Sequence, residues 1–137
     1  MRVVLDTNVL VSALITPGGP TDRLYQAWRE GRLVLITSDE QLDEFRRVTR
    51  YPRLRPHIPP AAAGTMLNEL KLLAVRAKDL PKVEASPDPG DNFVLAMAIA
   101  GQAEALVTRD RPGLLALGQY KNIPIVTVSQ LLEILER

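Results

Sequence analysis

Arg2-Val3-Val4-Leu5-Asp6-Thr7-Asn8 is the stretch on which the fold turns. Val3-Val4-Leu5 is too short an apolar run for a helix but suits a central parallel strand, which is apolar on both faces. Asp6 then stands where the strand ends, on the side of an open parallel sheet that holds ligands. Ala105-Leu106-Val107-Thr108-Arg109-Asp110 repeats the arrangement late in the chain. Two strands ending in acids predict two carboxylates at one sheet edge.

Working outward, helical spacing runs through Val9, Leu10, Ala13 and Leu14 and is stopped by Thr16-Pro17-Gly18-Gly19. A second helix fits residues 20–30, with Leu24, Ala27 and Trp28 inward and Gly31 as its stop. Residues 33–37 read as a buried strand. Ser38 opens the next helix with Gln41 three positions on, a capping-box arrangement, and Leu42, Phe45 and Val48 form its apolar face. A proline-punctuated connection over 51–60 leads to a long helix over about 60–73, and its continuation over 74–83 is expected to be a third strand. Ser86-Pro87-Asp88-Pro89-Gly90 is a turn. A helix over 91–100 ended by Gly101 follows, then a strand over 105–108, a short helix over 112–117, a strand over 123–128 and a terminal helix capped by Ser129. Alternating strands and helices predict an α/β domain: a mainly parallel sheet with helices on both faces and right-handed crossovers.

With 137 residues, 46% hydrophobic and 24% charged, the chain reads as one soluble globular domain over 1–137. The absence of cysteine excludes disulfides and thiolate metal sites. The apolar stretch over 3–15 is interrupted by Asp6, Thr7 and Asn8 and lacks the frame of a signal peptide. The stretch over 93–107 is broken by Gln102 and Glu104 and is too short to span a bilayer. A cytoplasmic protein without a membrane partner is the expectation. Net charge is only +1, yet Arg46, Arg47, Arg50, Arg53 and Arg55 stand together with no acid among them. That stripe is either a phosphate-binding surface, with Tyr51 for stacking, or a solvated helix face running into a loop.

Four acids carry the chemistry: Asp6, Glu44, Asp91 and Asp110. Each also has an ordinary reading. Asp6 or Thr7 would cap the first helix, worth about 1 kcal/mol. Glu44 would be a solvated companion of Glu40 and Asp43, and Asp110 a cap ahead of Pro112. Asp88 and Asp91 compete, and Asp88-Pro89 looks like an N-cap followed by proline at the first helical position, which leaves Asp91 free. Clustered carboxylates with no neutralising lysine call for a hard divalent cation, Mg²⁺ or Mn²⁺, and for chemistry on phosphate esters. Asn8 and Thr108 are placed to orient such ligands. His57, in the proline-rich loop, is far in sequence from every motif and reads as structural or exposed.

Leu5-Asp6-Thr7-Asn8-Val9, Ser38 with Leu42, Glu44 and Val48, Asp91-Asn92 with Leu95-Ala96 and Ala98, and Leu106-Val107-Thr108-Arg109-Asp110 stand in the order of a PIN domain. The resemblance runs through Ile123-Pro124-Ile125-Val126-Thr127 and covers essentially the whole chain. It is nearest the compact bacterial or archaeal VapC-type toxins of toxin–antitoxin pairs. It implies a Rossmann-like three-layer sandwich and a Mg²⁺- or Mn²⁺-dependent endoribonuclease acting on single-stranded or loop RNA. Asp6, Glu44, Asp91 and Asp110 match the family's catalytic and metal-holding acids, with Asn8 and Thr108 in support. Arg46, Arg50, Arg53 and Arg55 are the expected RNA contacts. A homodimer and a small antitoxin covering the groove are also implied. Asn92 departs from relatives that carry a further acid at this point, which bears on a second metal ion.

Two other classes compete. An aspartate-nucleophile phosphatase wants a second Asp two residues after the first, where this chain has Asn8. A PIN-like module that binds RNA or protein without cutting it keeps the fold but has no use for four acids.

Overall fold

The computed structural model describes residues 1–136. In chain order the elements are β1 (Arg2–Leu5), α1 (Thr7–Ile15), α2 (Pro20–Arg29), β2 (Val34–Thr37), α3 (Asp39–Val48), α4 (Pro60–Leu73), β3 (Val75–Arg76), α5 (Asn92–Ala100), β4 (Ala105–Val107), α6 (Leu114–Leu117), β5 (Gln119–Tyr120), β6 (Ile123–Val126) and α7 (Val128–Leu135). Single 3-10 turns lie at Arg55–His57 and Pro89–Asp91. The sheet order is β3-β2-β1-β4-β6-β5, parallel throughout except for the antiparallel β5–β6 pair. The mainly parallel three-layer architecture is the expected one.

Alternation along the strands divides the core in two, because successive side chains in a strand point to opposite faces. Val3, Leu5, Leu35, Ala105 and Val107 pack with α1, α2, α3, α4 and α7 on one face. Val4, Ile36, Leu106 and Ile125 pack with α5 and α6 on the other. Leu24 and Trp28 face inward as expected, and Met66 and Leu70 of α4 are core residues as well. Leu106 is fully buried, and its truncation to alanine would cost about 2–5 kcal/mol.

Three local expectations are corrected. The strand expected over 74–83 shrinks to Val75–Arg76: beyond them only Ala77 continues the pairing, its N–H donating to Thr37 O, and Asp79 adopts a left-handed φ of 55°. The terminal helix is capped by Thr127 rather than Ser129, in a full capping box with Gln130. The box expected at Ser38 is half formed. Its hydroxyl accepts from Gln41 N, but the Gln41 side chain turns into the core instead of returning to the cap. The two-residue strand β5 had no periodic signal of its own and depends on β6 for its pairing.

Candidate active site

Strand register brings the first pair of site residues together. Leu5 lies opposite Val107, so one step further Asp6 meets Thr108. Asp6 N donates to Val107 O at 2.8 Å, and Thr108 Oγ1 donates to Asp6 Oδ2 at 2.8 Å. The same hydroxyl accepts from Asp110 N at 3.1 Å, which links both acids through one atom. Gln41 fixes the end of β1 from the other side. Its Nε2 donates to Leu5 O at 2.7 Å while its Oε1 accepts from Thr37 at 2.8 Å, tying β1, β2 and α3 together. Glu44 sits one turn further along α3, partly buried.

Asp6 occupies the N-cap position of α1 but makes no side-chain capping bond. Asp91 likewise precedes α5 without capping it. Asp88 caps the 3-10 turn Pro89–Asp91 that leads into α5, its Oδ1 accepting from Gly90 N at 2.9 Å. Asp110 has a partial turn role, since Oδ1 accepts from Gly113 N at 3.2 Å. The glycine leaves room for that carboxylate: a Cβ at Gly113 would fall 1.8 Å from Asp110 Oδ2 and displace it. Glu44 faces Arg47 at 3.9 Å, a loose pair on one helix. Asn92 Oδ1 accepts from Ser86 N at 2.8 Å and Ala85 N at 3.2 Å, so the amide after the third acid fastens the turn before it. Asn8 is exposed, and so is His57.

The four acids share one electrostatic field although they come from four elements. Burial pushes the Asp6 carboxyl above its ordinary range, the Thr108 hydrogen bond opposes this, and Glu44 and Asp110 reinforce it. Asp91 is pushed up to about 7 by burial first and then by Asp6, Asp88, Asp110 and Glu44. Among the described residues no three acidic or histidine side chains converge closely enough to cage an ion. The chemistry of the donors nevertheless fits a hard divalent cation: carboxylate oxygens that repel one another at neutral pH, relieved by positive charge. The buried Thr7 hydroxyl beside Asp6 also has no partner among the described residues, an unsatisfied group that bound water or ligand would satisfy.

Of the four acids, Asp110 alone lines a groove of about 1240 Å³, which is walled also by Asn8, Tyr51, Arg53, Thr108, Arg109 and Arg111 among others. Of Arg46, Arg50, Arg53 and Arg55, only Arg53 lines it. Arg46 pairs with Asp43 at 3.3 Å, while Arg50 and Arg55 are exposed elsewhere. Sequence reasoning missed Arg109 and Arg111, which flank Asp110. Their signal in the sequence is two cations bracketing an acid at a strand end.

A family model described as the PIN domain matches residues 2–112. The structure of VapBC2 from Rickettsia felis bound to a DNA fragment from their promoter aligns with a TM-score of 0.58 at 15% identity, over 93% of this chain and 98% of that one. FitAcB from Neisseria gonorrhoeae aligns with a TM-score of 0.52 at 12% identity, over 93% and 98%. At such identity the likeness establishes the fold. No curated protein matches the sequence.

Proposed function

This chain belongs to the PIN-domain family, whose members are generally nucleases, and we propose that it is a Mg²⁺- or Mn²⁺-dependent ribonuclease. Its substrate on this reading is single-stranded or loop RNA, and its role is that of the toxin in a toxin–antitoxin pair. The observation that carries the proposal is the electrostatic coupling of Asp6, Glu44, Asp91 and Asp110 at the ligand-holding edge of the sheet, where burial first and the neighbouring acids second raise the pKa of Asp6 and Asp91.

Asp6, Glu44, Asp91 and Asp110 would hold the ion. When bound, it supplies the positive charge that activates water and offsets charge developing at the phosphate. The remaining work belongs to the chain. Thr108 holds Asp6 Oδ2 and the Asp110 backbone in fixed relation. Gln41 anchors the strand end beneath Asp6. Asn8 and Asp110 reach the groove wall, where Arg53 meets the phosphate backbone of the strand. Arg46, Arg50 and Arg55 extend that basic surface outside the groove.

Residues 1–137 act as one domain on this reading, in the cytoplasm; no helix among the described residues is long and apolar enough to cross a membrane. Fold neighbours that include VapBC2 support a cognate antitoxin, and the resemblance to VapC-type toxins implies a homodimer. The test is cleavage of labelled single-stranded RNAs in Mg²⁺ or Mn²⁺ against EDTA, with matched DNA strands alongside. Metal-dependent cutting confined to RNA is expected. Cutting that persists in EDTA, or that prefers DNA, would refute the proposal.

A further inference from the structure

Arg109 is anchored in a way that its neighbours in sequence do not explain. Its Nη1 donates to Ser12 Oγ at 2.7 Å, and the same oxygen accepts from Thr21 Oγ1 at 3.2 Å. Ser12 on α1 and Thr21 on α2 are both buried, at 9% and 5% exposure. Two buried hydroxyls are thus committed to holding one guanidinium. All three residues line the groove that ends at Asp110. Arg46 and Arg47, in contrast, lie against Asp43 and Glu44. Among the described residues Arg109 has no carboxylate within ion-pair distance, and no hydrogen bond beyond the one to Ser12 is formed by its side chain. A guanidinium has five N–H donors, so most of this fork is available to a ligand.

We propose that Arg109 binds a phosphate of the RNA strand beside the cleaved bond, and that Ser12 and Thr21 are positioning residues that hold it ready. This inference rests on the ribonuclease reading above. A planar fork suits a phosphodiester, which it grips through two parallel N–H donors. The contact is to the backbone, so it adds affinity without base preference. Pre-anchoring matters because an arginine already held in place loses less freedom on binding than a free one.

The experiment measures binding of a short labelled single-stranded RNA across a salt series by fluorescence anisotropy, in Mg²⁺ and in an Asp6→Asn background that prevents cleavage. Arg109→Gln is expected to weaken binding about tenfold and to flatten the plot of log affinity against log salt by about 0.7. Arg109→Lys should restore the slope but only part of the affinity, because a point charge lacks the fork. Ser12→Ala should keep the slope and lose about two- to tenfold in affinity, the cost of ordering a side chain that is no longer held. Unchanged affinity and slope in Arg109→Gln, with a lowered melting temperature, would make Arg109 only a tie between β4 and α1 and overturn the inference. If the Asp6→Asn parent itself binds no RNA, the ribonuclease reading fails and carries this inference with it; a parent that binds while Arg109→Gln binds equally well overturns the inference alone.

Discussion

Thr108 Oγ1 donates to Asp6 Oδ2 at 2.8 Å and accepts from Asp110 N at 3.1 Å, so one hydroxyl sets two of the four acids in relation to each other. The pairing of β1 with β4 makes this contact unavoidable, since Leu5 opposite Val107 puts Asp6 opposite Thr108. Packing thereby determines chemistry: the apolar registers of Val3, Val4 and Leu5 aim the first carboxylate.

Thr108→Val keeps the shape but removes both hydrogen bonds. It should lower cleavage by about 10–100-fold and leave a buried carboxylate short of a donor, at a cost on the order of 1–3 kcal/mol. Thr108→Ser should retain most of the activity. Rates and denaturant midpoints of the two variants check this. Equal activity in valine and serine variants would remove the hydroxyl from the account.

Gly113→Ala tests whether Asp110 must lie where it does. The added methyl would fall 1.8 Å from Oδ2, far inside contact distance, so the carboxylate has to swing away. Activity should drop by more than the change in melting temperature accounts for. Full activity at ordinary stability would show that the position of Asp110 is immaterial.

Asp88 and Asp91 separate capping from chemistry. Asp88→Ala should cost about 1 kcal/mol through the lost bond to Gly90 N while sparing cleavage. Asp91→Asn should abolish cleavage. It should also stabilise the metal-free protein at neutral pH, because it removes a charge opposed first by burial and then by the neighbouring acids. The reverse pattern would exchange the two roles.

The raised carboxyls also set a pH dependence. In the folded, metal-free protein Asp91 titrates at about 7 against an ordinary value of 3.8, and Asp6 is raised as well. Between those values the folded state binds more protons than the unfolded state, so stability falls as pH rises from 3.8 to about 7 and levels off above. Mg²⁺ or Mn²⁺ should flatten that decline by stabilising the ionised forms. Thermal melts of EDTA-treated protein across this range, with and without metal, provide the test. Stability that climbs with pH would contradict the shifts.

Much of this was legible in the sequence, for reasons that differ by element. Val3-Val4-Leu5 and Ala105-Leu106-Val107 are buried on both faces, so composition alone marked them as central strands. Asp88-Pro89 revealed its cap because proline and a preceding acid act locally. Gln41 looked like half of a capping box because that pattern is local too; only the tertiary approach of β1 offered its side chain the Leu5 carbonyl instead. The same limit hid Arg109, whose partner Ser12 lies 97 positions away. In the arginine run after Glu44, Arg46 and Arg47 lie on α3 beside its own acids Asp43 and Glu44, and of Arg50, Arg53 and Arg55 beyond the helix end only Arg53 lines the groove, a placement set by the path of the loop.

The most direct test of the central claim compares wild-type protein with Asp6→Asn for RNA binding and RNA cleavage in the same Mn²⁺-containing buffer. Asp6→Asn keeps an oxygen to accept from Thr108, so the fold and the groove should persist. RNA binding near the wild-type level with cleavage abolished is the predicted result. Cleavage undiminished in the variant, from protein free of contaminating nuclease, would contradict the four-carboxylate account.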